Sequence, residues 1–306
     1  MDVSRRSALG MAGVAGVAGL LGGGVARGGT RGGPGRAVIG EATGDRLHVV
    51  SFNIRYDTGA APGSADSWAD RRPVLARYLE IERPTVLGVQ EALYHQVGQV
   101  AEDLPPYFDW IGLGREGGSR GEFMAVYFDT RRVRPVAFDH FWLSDTPEVI
   151  GSTSWGNTVV RMVTWVRFRD RRTGKEFTHV NTHFDHRSEN SRVRSAELVR
   201  DRIAGFDPAV PVVLTGDFNT PAPGSESYRV LVTDGGLVDT WDAGERRTPA
   251  WGTFPNYRDP VEGANRIDWV LAGSRVEVIA AAINPFRLDG RYPSDHLPVQ
   301  ALVRLP

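Results

Sequence analysis

The sequence predicts an α/β fold in which two mixed β-sheets face each other and helices flank them. Three observations carry that prediction. From Leu47 onward, apolar runs of strand length alternate with helical and turn-rich segments. Strand-like runs outnumber helical ones, and no internal repeat or interdomain linker interrupts them. Many strands, few helices and mixed connections pack as sheet on sheet with helices outside.

Short β-rich runs predict strands over 47–53, 85–90, 107–111, 122–128, 133–142, 159–169, 176–184, 211–216, 266–271, 275–283 and 296–304. Helices are predicted over 69–82, 92–104, 189–205 and 225–234. In the first, Leu75, Leu79 and Glu82 oppose Arg71, Arg72 and Arg77, an amphipathic pattern. Arg192, Arg194, Leu198 and Ile203 suit the third. Gly117 to Gly121 reads as a loop, and Pro221-Ala222-Pro223-Gly224 as a rigid turn.

Composition narrows the function. An apolar content of 41% is enough for a sizeable core and excludes wholesale disorder. A net charge of -1, from 36 basic and 37 acidic residues, excludes the strongly basic face of a tight, non-specific nucleic-acid binder. Cysteine is absent, which removes disulfides, thiolate nucleophiles and cysteine-bound zinc.

The N-terminus reads as an address. Ser4-Arg5-Arg6 precedes a weakly apolar run from Ala8 to Leu21 and a small-residue site at Gly24-Val25-Ala26. That is the pattern of a twin-arginine export signal over 1–26, followed by a Gly/Arg-rich linker over 27–43 and one catalytic domain over 44–306. The apolar run is shorter than the ~20 residues a bilayer requires, so stable membrane insertion is not expected. The expected product is an extracytoplasmic monomer.

Several apolar strands end in chemically capable residues. Leu47–Phe52 ends at Asn53, and Thr85–Val89 at Gln90-Glu91. Phe177–Thr182 ends at His183, and Pro211–Gly216 at Asp217-Phe218-Asn219. The two-residue period of a strand puts Asn181 with His183 on one face, and Asp217 with Asn219. Any one such end is ordinarily a solvated turn. Four sharing the same Asn/Asp/Glu/His vocabulary point to one site beyond the strand ends.

These segments resemble the endonuclease/exonuclease/phosphatase family, which includes secreted DNases, abasic-site endonucleases, inositol phosphatases, sphingomyelinases and deadenylases. The carriers are Ser51-Phe52-Asn53-Ile54-Arg55, Gln90-Glu91, Asn181-Thr182-His183-Phe184-Asp185, Gly216-Asp217-Phe218-Asn219, Arg266-Ile267-Asp268-Trp269 and Ser294-Asp295-His296-Leu297-Pro298. They occur in the family's order. The resemblance implies a four-layer α/β sandwich with its site at one rim of two facing sheets, and dependence on Mg²⁺ or Mn²⁺, as one or two divalent cations. Gly121-Glu122-Phe123 and Arg161-Met162-Val163 look closest to the secreted-DNase-like branch, in which a glutamate pairs with the strand-end histidine and an arginine meets phosphate. The segment from Phe141 to Asn157 has no counterpart that identifies a substrate.

On that basis Glu91 is expected to bind metal with Asn53 and Asp295, because hard cations prefer oxygen donors. Asp217 is expected as a base or water orienter, and Asn219 as a donor to phosphate. His296 with Asp268 forms one carboxylate–imidazole pair, and His183 with Glu122 a second. Which histidine protonates the leaving oxygen stays open. Arg161 is expected to grip a phosphate oxygen, with Asn181 beside the substrate and His186 and Arg187 near it. His48, His95, His140 and His179 are assigned to structure or surface. Independently of any family, Glu91, Glu122, Asp217, Asp268 and Asp295 in one cleft would repel each other and any phosphate unless a cation joined them.

The expected activity is hydrolysis of phosphodiesters, in nucleic acid or a smaller ester. The alternatives are a phosphomonoesterase or phospholipase acting on sugar, inositol or lipid phosphates, and a non-catalytic binding module on the same fold.

Overall fold

The computed structural model describes residues 35–306. The expected export signal, 1–26, lies outside the described residues.

The expected sandwich is what the chain forms. The first sheet contains β1 (Arg46–Asn53), β2 (Val86–Gln90), β3 (Phe108–Ile111), β4 (Val126–Asp129), β10 (Arg246–Arg247), β12 (Glu277–Ile283) and β13 (Val299–Arg304). Its order is β10-β12-β13-β1-β2-β4-β3. The second contains β5 (Val133–Trp142), β6 (Met162–Asp170), β7 (Glu176–His183), β8 (Val212–Ala222), β9 (Leu237–Asp239) and β11 (Arg266–Gly273), in the order β5-β6-β7-β8-β11-β9. Both sheets are mixed: β1 runs parallel to β2 and β7 parallel to β8, and the pairings β1–β13 and β8–β11 are antiparallel.

Strand parity explains the layers. In β1, Leu47 and Val49 turn toward the second sheet and join Val213, Phe177 and Val270 in the central core. Val50 and Phe52 turn the other way, against Leu75, Leu79 and Val97. The last three belong to α1 (Trp68–Glu82) and α2 (Tyr94–Asp103). On the far side, Val180, Leu214, Trp269 and Leu271 pack against Ala196 and Val199 of α3 (Glu189–Ala204) and Leu231. Both faces of each central strand are therefore apolar near its buried end, as expected of strands covered on both sides. Among the described residues no helix is long and apolar enough to cross a membrane.

The differences from expectation have local causes. Over 122–128, regular pairing begins only at Val126, because Phe123 makes isolated bridges to Ala92 and Gly114 instead. The fourth helix is one short turn, α4 (Glu226–Tyr228), continued by a π-helical turn over Arg229–Asp234. Three short pieces, β9, α5 (Thr240–Ala243) and β10, lie within a stretch where no periodicity is long enough to read.

The expected linker also ends early. Backbone N–H groups of Val38, Ile39 and Gly40 donate to the buried Glu82 carboxylate at 2.7, 3.2 and 2.9 Å. Residues 38–43 therefore belong to the domain, fastened to the end of α1.

Candidate active site

On the face between the sheets, each central strand changes character along its length. β1 presents Leu47, Val49, Ser51 and Asn53 in turn, and β7 presents Phe177, His179, Asn181 and His183. β8 presents Val213, Thr215 and Asp217, while antiparallel β11 presents Val270 and then Asp268. Because alternate residues share a face, the strands together build an apolar floor, a buried polar layer and an ionisable rim. Register aligns the rim: Asn53 lies beside Gln90, His183 beside Asp217, and Asp217 beside Asp268.

The polar layer ties the sheets together. Asn181 Nδ2 donates to the carbonyls of Val89 and Ala125 at 2.9 and 3.1 Å. Its Oδ1 accepts from Gln90 Nε2 at 2.7 Å and Thr215 Oγ1 at 3.0 Å. With 0% exposure and both ends of its amide occupied, Asn181 has nothing left for substrate. The expectation that it binds substrate is corrected: it is an inter-sheet clamp one layer below the rim. Gly88 leaves room for it, since a Cβ there would lie 2.7 Å from Asn181 Oδ1 and 2.4 Å from Thr215 Oγ1.

At the rim, Asp217 is the hub. Its Oδ2 accepts from Asn53 Nδ2 at 2.9 Å and lies 3.4 Å from His183 Nε2 and 3.8 Å from His296 Nε2. Its Oδ1 accepts the Asn219 N–H at 3.0 Å. Asp268 grips His296 Nδ1 with both oxygens, at 3.1 and 2.9 Å. Asn219 Nδ2 lies 2.9 Å from His183 Nε2 and donates to the Phe184 carbonyl at 3.1 Å. Arg55, Glu91 and Asn219 adopt left-handed φ values of 58°, 66° and 52°. Strained non-glycine backbone of this kind concentrates at functional sites.

The two histidines differ in charge. Burial alone would lower His296, but the carboxylates of Asp268 and Asp217 push it up to about 10. His183 lies well below its ordinary value, through burial first and then the positive charges of Arg161 and Arg115. Asp217 is pushed up to about 7 by burial and by the Asp268 carboxylate. Burial also raises Glu122 and Asp295, and the Glu91 carboxylate adds to both.

The expected Glu122–His183 pair is loose. Glu122 Oε2 lies 4.0 Å from His183 Nδ1, beyond hydrogen-bond reach, and accepts from Arg115 Nη1 at 2.6 Å. The guanidinium is the stronger donor to a carboxylate, so Glu122 turns to it and His183 Nδ1 has no hydrogen-bond partner among the described residues. Arg161 sits just before β6 with 4% exposure. Its Nη2 lies 3.1 Å from His186 Nδ1, while Nε, 4.0 Å from Asp185 Oδ2, and Nη1 have no hydrogen-bond partner among the described residues. Two orphaned, charged N–H groups beside the rim suit an anion's oxygens.

The donor set also fits a hard divalent cation. Ligand atoms of Glu91, His183 and Asp217 lie within 4.8 Å of one another, as do those of Asp217, Asp268 and His296. The raised carboxyls show the repulsion that a cation would relieve. Asn53 occupies the expected place but with the opposite end forward. Its NH₂ bridges Glu91 Oε1 and Asp217 Oδ2, each at 2.9 Å, while its Oδ1 accepts the Arg55 N–H at 3.0 Å. Ligation through that oxygen requires the amide to rotate and release Arg55.

Sequence reasoning missed two arginines. Arg55 spans the acidic cluster, with nitrogens 3.2 Å from Asp66 and 3.7 Å from both Glu91 and Asp295. Arg71, expected on the solvent face of α1, is buried and donates to the carbonyls of Ile54 and Pro293 at 2.7 and 3.1 Å, and to those of Arg55 and Tyr56. It thereby ties the segment that follows Asn53 to the one that precedes Asp295. The signal was in the spacing, since Arg71, Leu75 and Leu79 recur every four residues on one helix face.

The endonuclease/exonuclease/phosphatase family model matches residues 50–296, a span that holds every rim residue described above. A family structure from Bacteroides vulgatus superposes with a TM-score of 0.80 at 31% identity, covering 85% of this chain and 99% of that one. A mannosyl-6-phosphatase of Bacteroides thetaiotaomicron gives 0.79 at 32%, covering 84% and 99%. Among curated proteins, an uncharacterised protein of Acanthamoeba polyphaga mimivirus is 26% identical over 184 residues, which is 57% of this chain and 67% of its own length. The chain belongs to the endonuclease/exonuclease/phosphatase family, whose members are phosphoester hydrolases.

Proposed function

We propose that the chain hydrolyses a small phosphate ester, foremost a sugar phosphate monoester, by in-line attack of water at the rim. The observation that carries the chemistry is Asp217 set between two histidines of opposite protonation, with orphaned Arg161 donors close by. Asp217, raised to about 7, is matched to taking a proton from water near neutral pH. His296, kept as an imidazolium by Asp268, donates to the leaving oxygen. Neutral His183 faces the phosphate as a hydrogen-bonding partner, positioned by Asn219. Arg161 binds non-bridging oxygens. Glu91, with Asp295 and the Asn53 carbonyl oxygen, would hold one or two divalent cations, Mg²⁺ or Mn²⁺, and a cation bound there supplies Lewis-acid charge stabilisation.

The monoester reading draws on the mannosyl-6-phosphatase neighbour at 32% identity and on the net charge of -1, which suits a small substrate better than a polyanionic chain. The expected phosphodiesterase activity is the second reading. It is favoured by Phe254, 46% exposed with its ring centroid 4.7 Å from that of His296, a flat apolar face on which a base could lie. Parallel assays decide, with mannose 6-phosphate, p-nitrophenyl phosphate, bis-p-nitrophenyl phosphate and plasmid DNA in Mg²⁺, Mn²⁺ or EDTA. Turnover of the two monoesters is expected, with that of mannose 6-phosphate lost in His296→Ala and that of p-nitrophenyl phosphate reduced far less. Preference for the diester or for DNA would replace the monoester reading, and no turnover of any substrate would sink the activity.

Export by the twin-arginine route is likewise a proposal, supported by Arg5-Arg6 and the apolar run that follows. A reporter fused to residues 1–26 should leave the cytoplasm, and its Arg5→Lys/Arg6→Lys form should stay. Size-exclusion chromatography with light scattering tests the proposed monomer.

A further inference from the structure

At the opposite end of the strands lies a cleft of about 480 Å³ that the rim chemistry does not use. Its wall includes Thr85, which just precedes β2, whereas Glu91 follows that strand. Six residues at ~3.3 Å each put the cleft roughly 20 Å from the metal-binding carboxylate.

The lining is built from donors. Arg83, Arg131, Arg132, Arg171 and Arg172 all contribute. Glu41 lies within 3.5 Å of Arg83 and 3.3 Å of Arg131, and Asp129 within 2.7 Å of Arg131. Asp170 holds Arg132 from behind at 2.9 Å. Five guanidiniums therefore face three carboxylates, a local excess of two positive charges in a chain whose net charge is -1.

Arg132, 8% exposed, is the fixed part of the wall: its Nη1 donates to the Gly44 carbonyl at 2.7 Å and its Nη2 to Asp170 at 2.9 Å, so its charge rather than a free N–H serves the cleft. Several donors remain uncommitted. The exposed Arg171 side chain makes no hydrogen bond or ion pair among the described residues. Thr85 Oγ1 accepts from the His48 N–H at 3.1 Å, which leaves its own proton to donate. Arg172 spends Nη1 on the Gly44 carbonyl at 2.7 Å and keeps its other donors. Arg131 lies over the Tyr107 ring, its guanidinium carbon 3.4 Å from the centroid.

We propose that this cleft is a second anion site, separate from the catalytic rim, that binds a phosphate dianion. A dianion matches the local excess charge, and its three or four oxygens suit converging guanidinium and hydroxyl donors. The phosphate is either free or the terminal group of a phosphomonoester.

The test is calorimetric titration of the full Mg²⁺-loaded chain at constant ionic strength, with inorganic phosphate and with phenylphosphonate, a monoester mimic that cannot be hydrolysed. Wild type is compared with Arg171→Gln/Arg172→Gln, whose exposed side chains make folding secure, and with Arg132→Met. The double variant should bind one fewer phosphate per chain than wild type, or bind it at least about tenfold more weakly, as expected when charged hydrogen bonds are lost. Its thermal melt without phosphate and its turnover of p-nitrophenyl phosphate should match wild type. Binding of phenylphosphonate at the same site would identify a terminal phosphomonoester, and binding of phosphate alone the free ion. Unchanged stoichiometry and affinity in the folded double variant would overturn the proposal.

Discussion

Replacing Asp268 by Asn removes one charge and almost no volume, so it isolates the electrostatic work of the Asp268–His296 pair. Both residues are buried, and the carboxylate holds His296 Nδ1 at 2.9 and 3.1 Å. A shift from 6.5 to about 10 corresponds to roughly 5 kcal/mol of preference for the imidazolium. Without Asp268, burial still lowers His296 and only the more distant carboxylates of Asp217 and Asp295 oppose it, so the ring holds its proton less firmly and loses the partner that orients it. Loss of general-acid catalysis lowers kcat by about 10²–10⁴-fold. The leaving group provides the decisive contrast, because nitrophenolate departs without a proton and a sugar alkoxide does not. In pH–rate profiles with saturating Mg²⁺, Asp268→Asn should therefore lose far more activity on mannose 6-phosphate than on p-nitrophenyl phosphate. Its residual activity should also fall with rising pH well before the wild type's does. Equal losses on both substrates, or an unchanged alkaline limb, would refute the assignment of His296 as proton donor. The stability effect has a definite sign. A folded value above the unfolded one contributes fully below about 6.5 and is lost as pH climbs through about 10, so the wild type's advantage over the variant in urea should shrink across that window.

Three other outcomes are expected. Exhaustive chelation should abolish turnover and Mg²⁺ or Mn²⁺ should restore it, while Glu91→Ala should raise the metal concentration for half-activity by about 10–100-fold; full turnover in the metal-free protein would exclude a metal-dependent mechanism. Asn181→Ala should cost about 1–3 kcal/mol in urea unfolding, because Gln90, Thr215 and two carbonyls lose their partner, with KM unchanged; a raised KM at unchanged stability would return Asn181 to substrate binding. Arg161→Gln should lower kcat/KM by about 10–100-fold, the worth of charge-assisted hydrogen bonds to an anion, and steady-state kinetics on p-nitrophenyl phosphate will measure it.

Much of the site was legible because a strand has a fixed period and this chain ends its strands in unlike residues. Reading every second position backward from Asn53, His183 and Asp217 gives Ser51, Asn181 and Thr215, and the same face does carry them in the folded protein. The period assigns a face but not a depth. Asn181 and His183 share a face, yet the first is sealed in the polar layer and the second reaches the rim, because the opposing sheet covers only the lower position. Arg71 was misplaced for a related reason. Its spacing put it on the buried side of α1, while its charge argued for solvent, and four backbone carbonyls in the loops above decided the matter.

The sequence alone determined the layers, the rim where the chemistry sits and the residue types that meet there. The layers and the strand-end residues follow from periodicity and local order along one chain, and the placing of the site at a rim follows from the family resemblance of its motifs. Tertiary structure decided which end of the Asn53 amide faces the carboxylates, which partner Glu122 takes, and why one histidine is charged while its neighbour is not. Those outcomes depend on distances of a few ångströms between residues far apart in the chain, in a medium that burial has made poorly screening. His183 and His296 are the same residue type at comparable burial, and the Asp268 and Asp217 carboxylates acting on one and the guanidiniums of Arg161 and Arg115 near the other separate their protonation.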